Sequence, residues 1–292
     1  MEGNDMLRVL TIGNSFSRNA TRYLQEILAA DGTREMLVGH ADLGGCSLAK
    51  HWNLVKQCDQ LPDVKPYLYR KTGCEPVPAS LREILVDDAW AIVTLQQVSH
   101  YSWRPETYSP HIDNLYALVR ELAPQARPVI HQTWAYREDA TFFTEIDEPL
   151  NQKTMYEKLV KAYAECATRL HCPIIPCGAA FQAARERLGY TPDRDFDYAH
   201  PTPVELPDQS GSLIVGYHWR TGNTPSGNAE LHMDYRHGNE AGCYLANAVW
   251  YARLTGGDIR TNAFMPPNVR PEDIPVLQEA AHAAAAAFGG SL

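Results

Sequence analysis

Hydrophobic positions along the chain follow two alternating patterns. Short apolar blocks recur at residues 8–13 (RVLTIG), 35–41, 90–95 (WAIVTL), 128–131 and 172–176, bounded by Gly, Pro or polar residues. Between them lie stretches with helical spacing. Ala20, Tyr23, Leu24, Ile27 and Leu28 fall at i, i+3, i+4, i+7 and i+8, with Ser17 or Asn19 as the expected cap and Asp31-Gly32 as the stop. Further helices are expected from about residue 47 and over 79–86, 109–123, 152–170, 178–188 and 240–254. In the last of these Ala241, Leu245, Ala248, Val249 and Ala252 share one face.

Strands that are apolar throughout, instead of alternating, are buried on both faces. With amphipathic helices between them they form a parallel sheet covered on both sides. The pattern predicts a three-layer α/β/α sandwich with a mostly parallel, doubly wound sheet, flavodoxin-like in plan. A single domain is expected over residues 1–292, with its core at about 7–257. Residues 53–78 and 189–230 lack periodicity and are expected to be ordered loop insertions, the second lying over the rim of the sheet. The alanine-rich stretch 271–288 is expected to be a packing helix.

Ligands of such sheets bind beyond the carboxyl ends of the strands. That rule puts Ser15, Gly44-Gly45, Gln96-Gln97 and Trp134 on one rim. A serine hydroxyl needs an adjacent base to become a nucleophile, usually a histidine oriented by a carboxylate. Asp234 and His237 stand three apart in "LHMDYRHGNEAG", just before a helix that Asn239 can cap, and the spacing suits one loop holding both. Alone, Ser15 would serve equally as a turn residue and D-x-x-H recurs by chance; the combination is what points to chemistry.

Composition narrows the field. Hydrophobic residues make up 45% of the 292 residues and aromatics 10%, enough for a full core. The formal net charge of −9, with no basic run to offset it, excludes nucleic acid and an anionic membrane as expected partners. No stretch approaches the roughly 18 apolar residues of a membrane span. The N-terminus MEGNDMLRVL lacks a signal-peptide pattern, so the chain is expected to be cytoplasmic, or secreted or periplasmic after loss of a leader. Seven cysteines without a CxxC pair read as reduced thiols. His171-Cys172 and Cys177 enclose Pro-Ile-Ile-Pro, a buried strand by pattern, so neither metal nor cofactor is expected.

The GNS turn after the first strand resembles the GDS block of the SGNH/GDSL hydrolases. Gly45 in "LGGCSL" resembles their second block, and Asp234-x-x-His237 their last. More narrowly, "IGNSFS", "GGCSL", "TLQQ", "QTWAY" and "DYRHGNEAGCYLA" together resemble the branch known as DUF4886, in order, over residues 8 to about 257. The resemblance implies Ser15 as nucleophile, His237 as base and then acid, and Asp234 as its orienting partner. It implies an oxyanion hole from the N–H groups of Ser15 and Gly45. The usual third donor, an asparagine after the third strand, is missing, and Gln96, or Gln97 in its place, is the expected substitute. Asn14 replaces the Asp of GDS.

Asn14, Trp134 and Tyr136 are the expected substrate contacts. Arg137 is left with two readings, an internal aspartate or a substrate carboxylate. The expected function is a cofactor-free serine esterase acting on small acyl, foremost acetyl, esters of small molecules or carbohydrates. The competing expectation is an inactive glycan-binding module on the same scaffold.

Overall fold

A seven-stranded sheet forms the centre of the protein, with helices on both sides. The computed structural model describes residues 6–32, 35–221 and 229–292. The first half runs β1 (Leu7–Gly13), α1 (Ser15–Thr21), α2 (Leu24–Asp31), β2 (Met36–Asp42), α3 (Leu48–Gln60), β3 (Tyr67–Lys71), β4 (Val77–Ala79), α4 (Leu81–Val86), β5 (Ile92–Leu95) and α5 (His111–Leu122). The second runs β6 (Arg127–Gln132), α6 (Phe142–Glu145), α7 (Gln152–Leu170), β7 (Ile174–Pro176), α8 (Cys177–Leu188), β8 (Ile214–Arg220), β9 (Glu230–Gly238), α9 (Glu240–Thr255) and α10 (Ile274–Ala287).

Strand order is β4-β3-β2-β1-β5-β6-β7. The five strands from β2 to β7 in that order are parallel, and β3 and β4 extend the sheet antiparallel. The last five residues of β1 are all buried, which is why its sequence does not alternate. From β1 the chain first builds β2 on one side and later returns as β5 on the other. This reversal opens a crevice at the carboxyl ends of the two central strands. Gly13 pairs with Asp42 and Ile12 with Leu95, so the segments after β1, β2 and β5 leave the sheet side by side.

α1, α2, α8 and α10 pack around α9 on one side, and α3 and α4 pack on α5 on the other. α9 is buried almost throughout, its polar residues included. Asn247 accepts from Tyr23 N at 3.0 Å and donates to Asn19 O at 2.8 Å, and Arg253 Nε donates to Ile174 O at 3.1 Å. Those partners come from other elements, which is why the sequence shows α9 as one-faced. Among the described residues no helix is long and apolar enough to cross a membrane.

Several expectations need correction. The first helical stretch is two helices, α1 and α2, and α1 is capped by Asn14, whose Oδ1 accepts from Phe16 N at 3.1 Å, not by Ser17 or Asn19. Residues 53–78 are not a loop: they hold most of α3 and the strands β3 and β4. There Tyr67 and Tyr69 are buried on either side of exposed Leu68, a two-residue alternation too short to read in the sequence. Residues 189–230 contain β8, which pairs with β9 as a separate hairpin; residues 222–228 lie outside the described residues. Asp234 and His237 therefore sit on a strand, not in a loop.

Candidate active site

The turn after β1 leaves no room for a side chain. A Cβ on Gly13 would stand 2.4 Å from Ser17 Oγ and 2.8 Å from Gln96 Cδ, so glycine is required there. Two residues on, Ser15 opens α1 half-buried, its Oγ 2.8 Å from His237 Nε2. His237 Nδ1 lies 2.7 Å from Asp234 Oδ2. A carboxylate only accepts, so Nδ1 carries the proton and Nε2 offers a lone pair to the serine hydroxyl.

Burial alone would raise the Asp234 carboxyl. The His237 ring outweighs it, together with the N–H groups of His237 and Arg236, each 3.1 Å from Oδ1. The group is held well below the usual carboxylate range and stays ionised. The end of β9 is clamped from three directions. Arg137 N donates to Tyr235 O at 3.0 Å, Trp134 Nε1 to Arg236 O at 2.9 Å, and Gly238 N to Asn19 Oδ1 at 3.2 Å.

A pocket of about 240 Å³ opens over Ser15 and His237, with Gly44, Gly45, His100 and Arg236 opposite. Gly45 is exposed at φ +61°, a left-handed conformation suited to glycine, and its N–H has no acceptor among the described residues. The Ser15 N–H is the first of α1 and has no helical carbonyl to bond. Two backbone donors, unpaired among the described residues, thus belong to residues that line the pocket around the hydroxyl.

The glutamines do not. Gln96 is 1% exposed and lies beneath the turn. Its Oε1 accepts from Ser17 Oγ at 2.7 Å and from His131 Nδ1 at 2.8 Å, and its Nε2 donates to Asn14 Oδ1 at 2.8 Å. Gln97 is equally buried: Oε1 accepts from Leu48 N and Val98 N, and Nε2 donates to Thr107 O at 3.0 Å. Neither amide reaches the pocket, so both expected oxyanion roles are corrected to positioning ones.

Asn14 touches the pocket but is 1% exposed, and besides its cap its Nδ2 donates to Cys46 O at 3.1 Å. It ties the serine turn to the Gly45 loop, which an aspartate, lacking donors, could not do. Trp134 is fully buried, stacked 4.4 Å from both Phe16 and Phe181. Tyr136 is 1% exposed, its hydroxyl 2.9 Å from Ser99 Oγ. Both support the site from behind and are not substrate contacts. Arg137 takes its internal reading, pairing with Asp139 at 2.7 Å and 3.0 Å.

Gln96→Leu separates the two roles. As a buried hub its loss strands two donors, Ser17 O–H and His131 Nδ1–H, and is expected to cost about 2–5 kcal/mol in urea denaturation. An oxyanion donor would instead lower kcat by roughly 10²–10³ at nearly unchanged stability, and that result would restore the original assignment.

Residues 8–198 match the DUF4886 family, described as a domain of unknown function. The chain belongs to the DUF4886 family. A DUF4886 family protein from Bacteroides uniformis, solved by crystallography, matches with a TM-score of 0.74 at 28% identity, over 97% of this chain and 96% of that one. A protein from Slackia heliotrinireducens, provisionally assigned as an SGNH hydrolase, matches with a TM-score of 0.45 at 23% identity, over 68% of this chain and 92% of that one. No curated protein matches the chain. The DUF4886 match ends before β8, so Asp234 and His237 lie beyond it and reach Ser15 only through the fold.

Around Ser15, His237 and Asp234 this DUF4886 chain uses further residues, of which sequence reading passed over His51, His131 and Arg236 and left His100 between rim packing and substrate contact. His51 is fully buried, and burial pulls its pKa down to about 4. As a neutral ring it donates from Nε2 to Gly13 O at 3.0 Å and accepts from the Tyr67 hydroxyl at 2.8 Å, bracing the turn from β3. Burial pulls His131 down to about 3, so it too stays neutral and fixes which way the Gln96 amide faces. His100 and Arg236 line the pocket itself. Only the position of Arg236 inside D-Y-R-H could have drawn attention to it.

Proposed function

We propose that the protein is a serine hydrolase of the SGNH kind that cleaves small acyl esters, acetyl esters of carbohydrates foremost. One observation carries the reading: Ser15 Oγ, His237 and Asp234 form an unbroken hydrogen-bonded line of 2.8 Å and 2.7 Å. His237 Nε2 takes the serine proton as Oγ attacks the ester carbonyl. The N–H groups of Ser15 and Gly45 receive the negative charge that develops on the carbonyl oxygen. His237 then returns the proton to the leaving alcohol, and the acyl group remains on Oγ. Water, deprotonated by the same ring, releases the acid and restores the serine.

The size of the pocket supports a short acyl group. At about 240 Å³ it falls below the roughly 300–1,000 Å³ of sites that enclose drug-sized ligands. The sugar part rests on the motif resemblance and on Tyr101, 39% exposed with its ring edge on His100, where a sugar ring could stack. Hydrolysis of p-nitrophenyl acetate, butyrate and octanoate tests the reading. kcat/KM is expected to fall by roughly tenfold or more from acetate to octanoate. Equal or rising values would replace it with a long-chain lipase or thioesterase, and acetate release from acetylated oligosaccharides tests the alcohol side.

A further inference from the structure

Among the described residues Arg236 is the one fixed cation that lines the catalytic pocket. Its backbone belongs to the triad support, since its N–H bonds Asp234 and its carbonyl accepts from Trp134. Its side chain has no such duty. Among the described residues the guanidinium makes no ion pair, and its single hydrogen bond is to the Tyr235 hydroxyl, a long 3.3 Å, with the Tyr235 ring 4.8 Å beneath it. Arg137, by contrast, is neutralised by Asp139.

The surroundings deepen the contrast. In a chain of net charge −9 the pocket lining contains no carboxylate among the described residues. Asp234, behind the His237 ring, already accepts from that ring and from two backbone N–H groups. His100, on the same wall, is half-buried, and neither ring nitrogen has a hydrogen-bond partner among the described residues. Burial, then Arg236 and Arg104, lower its pKa, so it stands neutral beside the guanidinium. A half-buried guanidinium with free donors and a neutral imidazole beside it form a site for a planar anion.

We propose that Arg236, with His100, makes this site selective for esters that carry a carboxylate near the scissile bond. The proposal rests on the esterase reading and names the substrate class of that same site. The carboxylate sits on the acyl group, as in a dicarboxylic half-ester, or on the alcohol, as in an acidic sugar; the recognition chemistry is the same. The reaction is unchanged: Ser15 Oγ gains the acyl group, the alcohol leaves with the proton from His237, and water completes hydrolysis. Arg236 binds charge and takes no proton.

Two matched pairs of esters test it. p-Nitrophenyl hydrogen succinate against p-nitrophenyl butyrate places the charge on the acyl side. 4-Acetoxybenzoate against 4-acetoxybenzamide places it on the alcohol side. Each ratio of kcat/KM is divided by the corresponding ratio for hydroxide hydrolysis. In the wild type the charged member of one pair is expected to lead by about tenfold to a hundredfold. Arg236→Gln is expected to bring that ratio to near one, mainly through KM, and Arg236→Lys to fall between. Raising the ionic strength to about 1 M is expected to shrink the preference.

Ratios near one in both pairs, or a ratio unmoved by Arg236→Gln in a variant with a wild-type melting curve, overturn the proposal and leave the esterase reading standing. If the wild type cleaves none of the four, the esterase reading fails and calorimetry decides the anion site alone. Succinate and 4-hydroxybenzoate are titrated into Ser15→Ala and into the Ser15→Ala, Arg236→Gln double variant. Binding by the first and not the second supports the site; equal binding, or none, overturns it.

Discussion

Ser15→Ala is expected to reduce ester hydrolysis by roughly 10⁶, leaving only the residual roughly 10³–10⁴-fold over water that binding and the backbone donors supply, without loss of fold. On the proposed mechanism the Ser15 hydroxyl is the nucleophile, and Ser99, the other serine of the described lining, has its hydroxyl engaged by Tyr136. Cys46, in the same loop as Gly45, is fully buried, and burial pushes its thiol up to about 12, so it holds almost no thiolate at neutral pH. Alanine is the best helix former and Ser15 is the first residue of α1. Only the bond to His237 is lost, so the free energy of unfolding should change by no more than about 1 kcal/mol. Wild-type protein should take up one fluorophosphonate on Ser15, and the variant none. A variant that keeps a tenth of wild-type turnover would remove Ser15 from the mechanism.

Asp234→Asn is expected to cost roughly 10⁴ in kcat with little change in KM. An asparagine can face His237 Nδ1 with its own N–H, which moves the ring proton to Nε2, where it blocks acceptance from Ser15. His237 would remain in place and hold the wrong proton. The pH dependence separates this from a structural effect. The Asp234 pKa is depressed in the folded protein, so its contribution to stability is fully present above the unfolded value of about 3.9 and is lost as pH falls toward the lower folded value. The wild type should therefore lose this stabilisation only below about pH 4, and Asp234→Asn should lack that acid-side loss. Because Asp234 stays charged throughout the neutral range, its titration cannot supply the acid limb of the rate profile. Acid-side curves that coincide for wild type and variant would show that Asp234 is not the group held ionised by His237.

Much of this protein is legible in its sequence because local pattern and tertiary demand agree there. β1 and β5 are apolar runs because both faces of a central strand are covered, β7 is one because it is buried even at the edge of the sheet, and α7 and α8 end where their helical spacing ends. Ser15, Asp234 and His237 were visible as a set because a serine needs a base and a base needs a carboxylate. Their standing in line is a matter of the fold, since Ser15 and His237 are 222 positions apart in the sequence.

The direction of each polar side chain was decided only in three dimensions. A glutamine at the end of an apolar strand can face a pocket or face inward, and both look alike in sequence. Here His131 and Ser17, from β6 and α1, supply donors below the sheet end, so Gln96 turns down and not out. Trp134 and Tyr136 lie on the predicted rim, yet Phe16, Phe181 and Ser99 cover them, since large aromatic area is more stable against other side chains than in water. Arg137 and Arg236 are the same residue type on one rim. Asp139 neutralises the first, and nothing described neutralises the second. Periodicity records which residues are buried, through the repeating geometry of one element. Partners come from other elements, and only the packed chain determines which donor meets which acceptor.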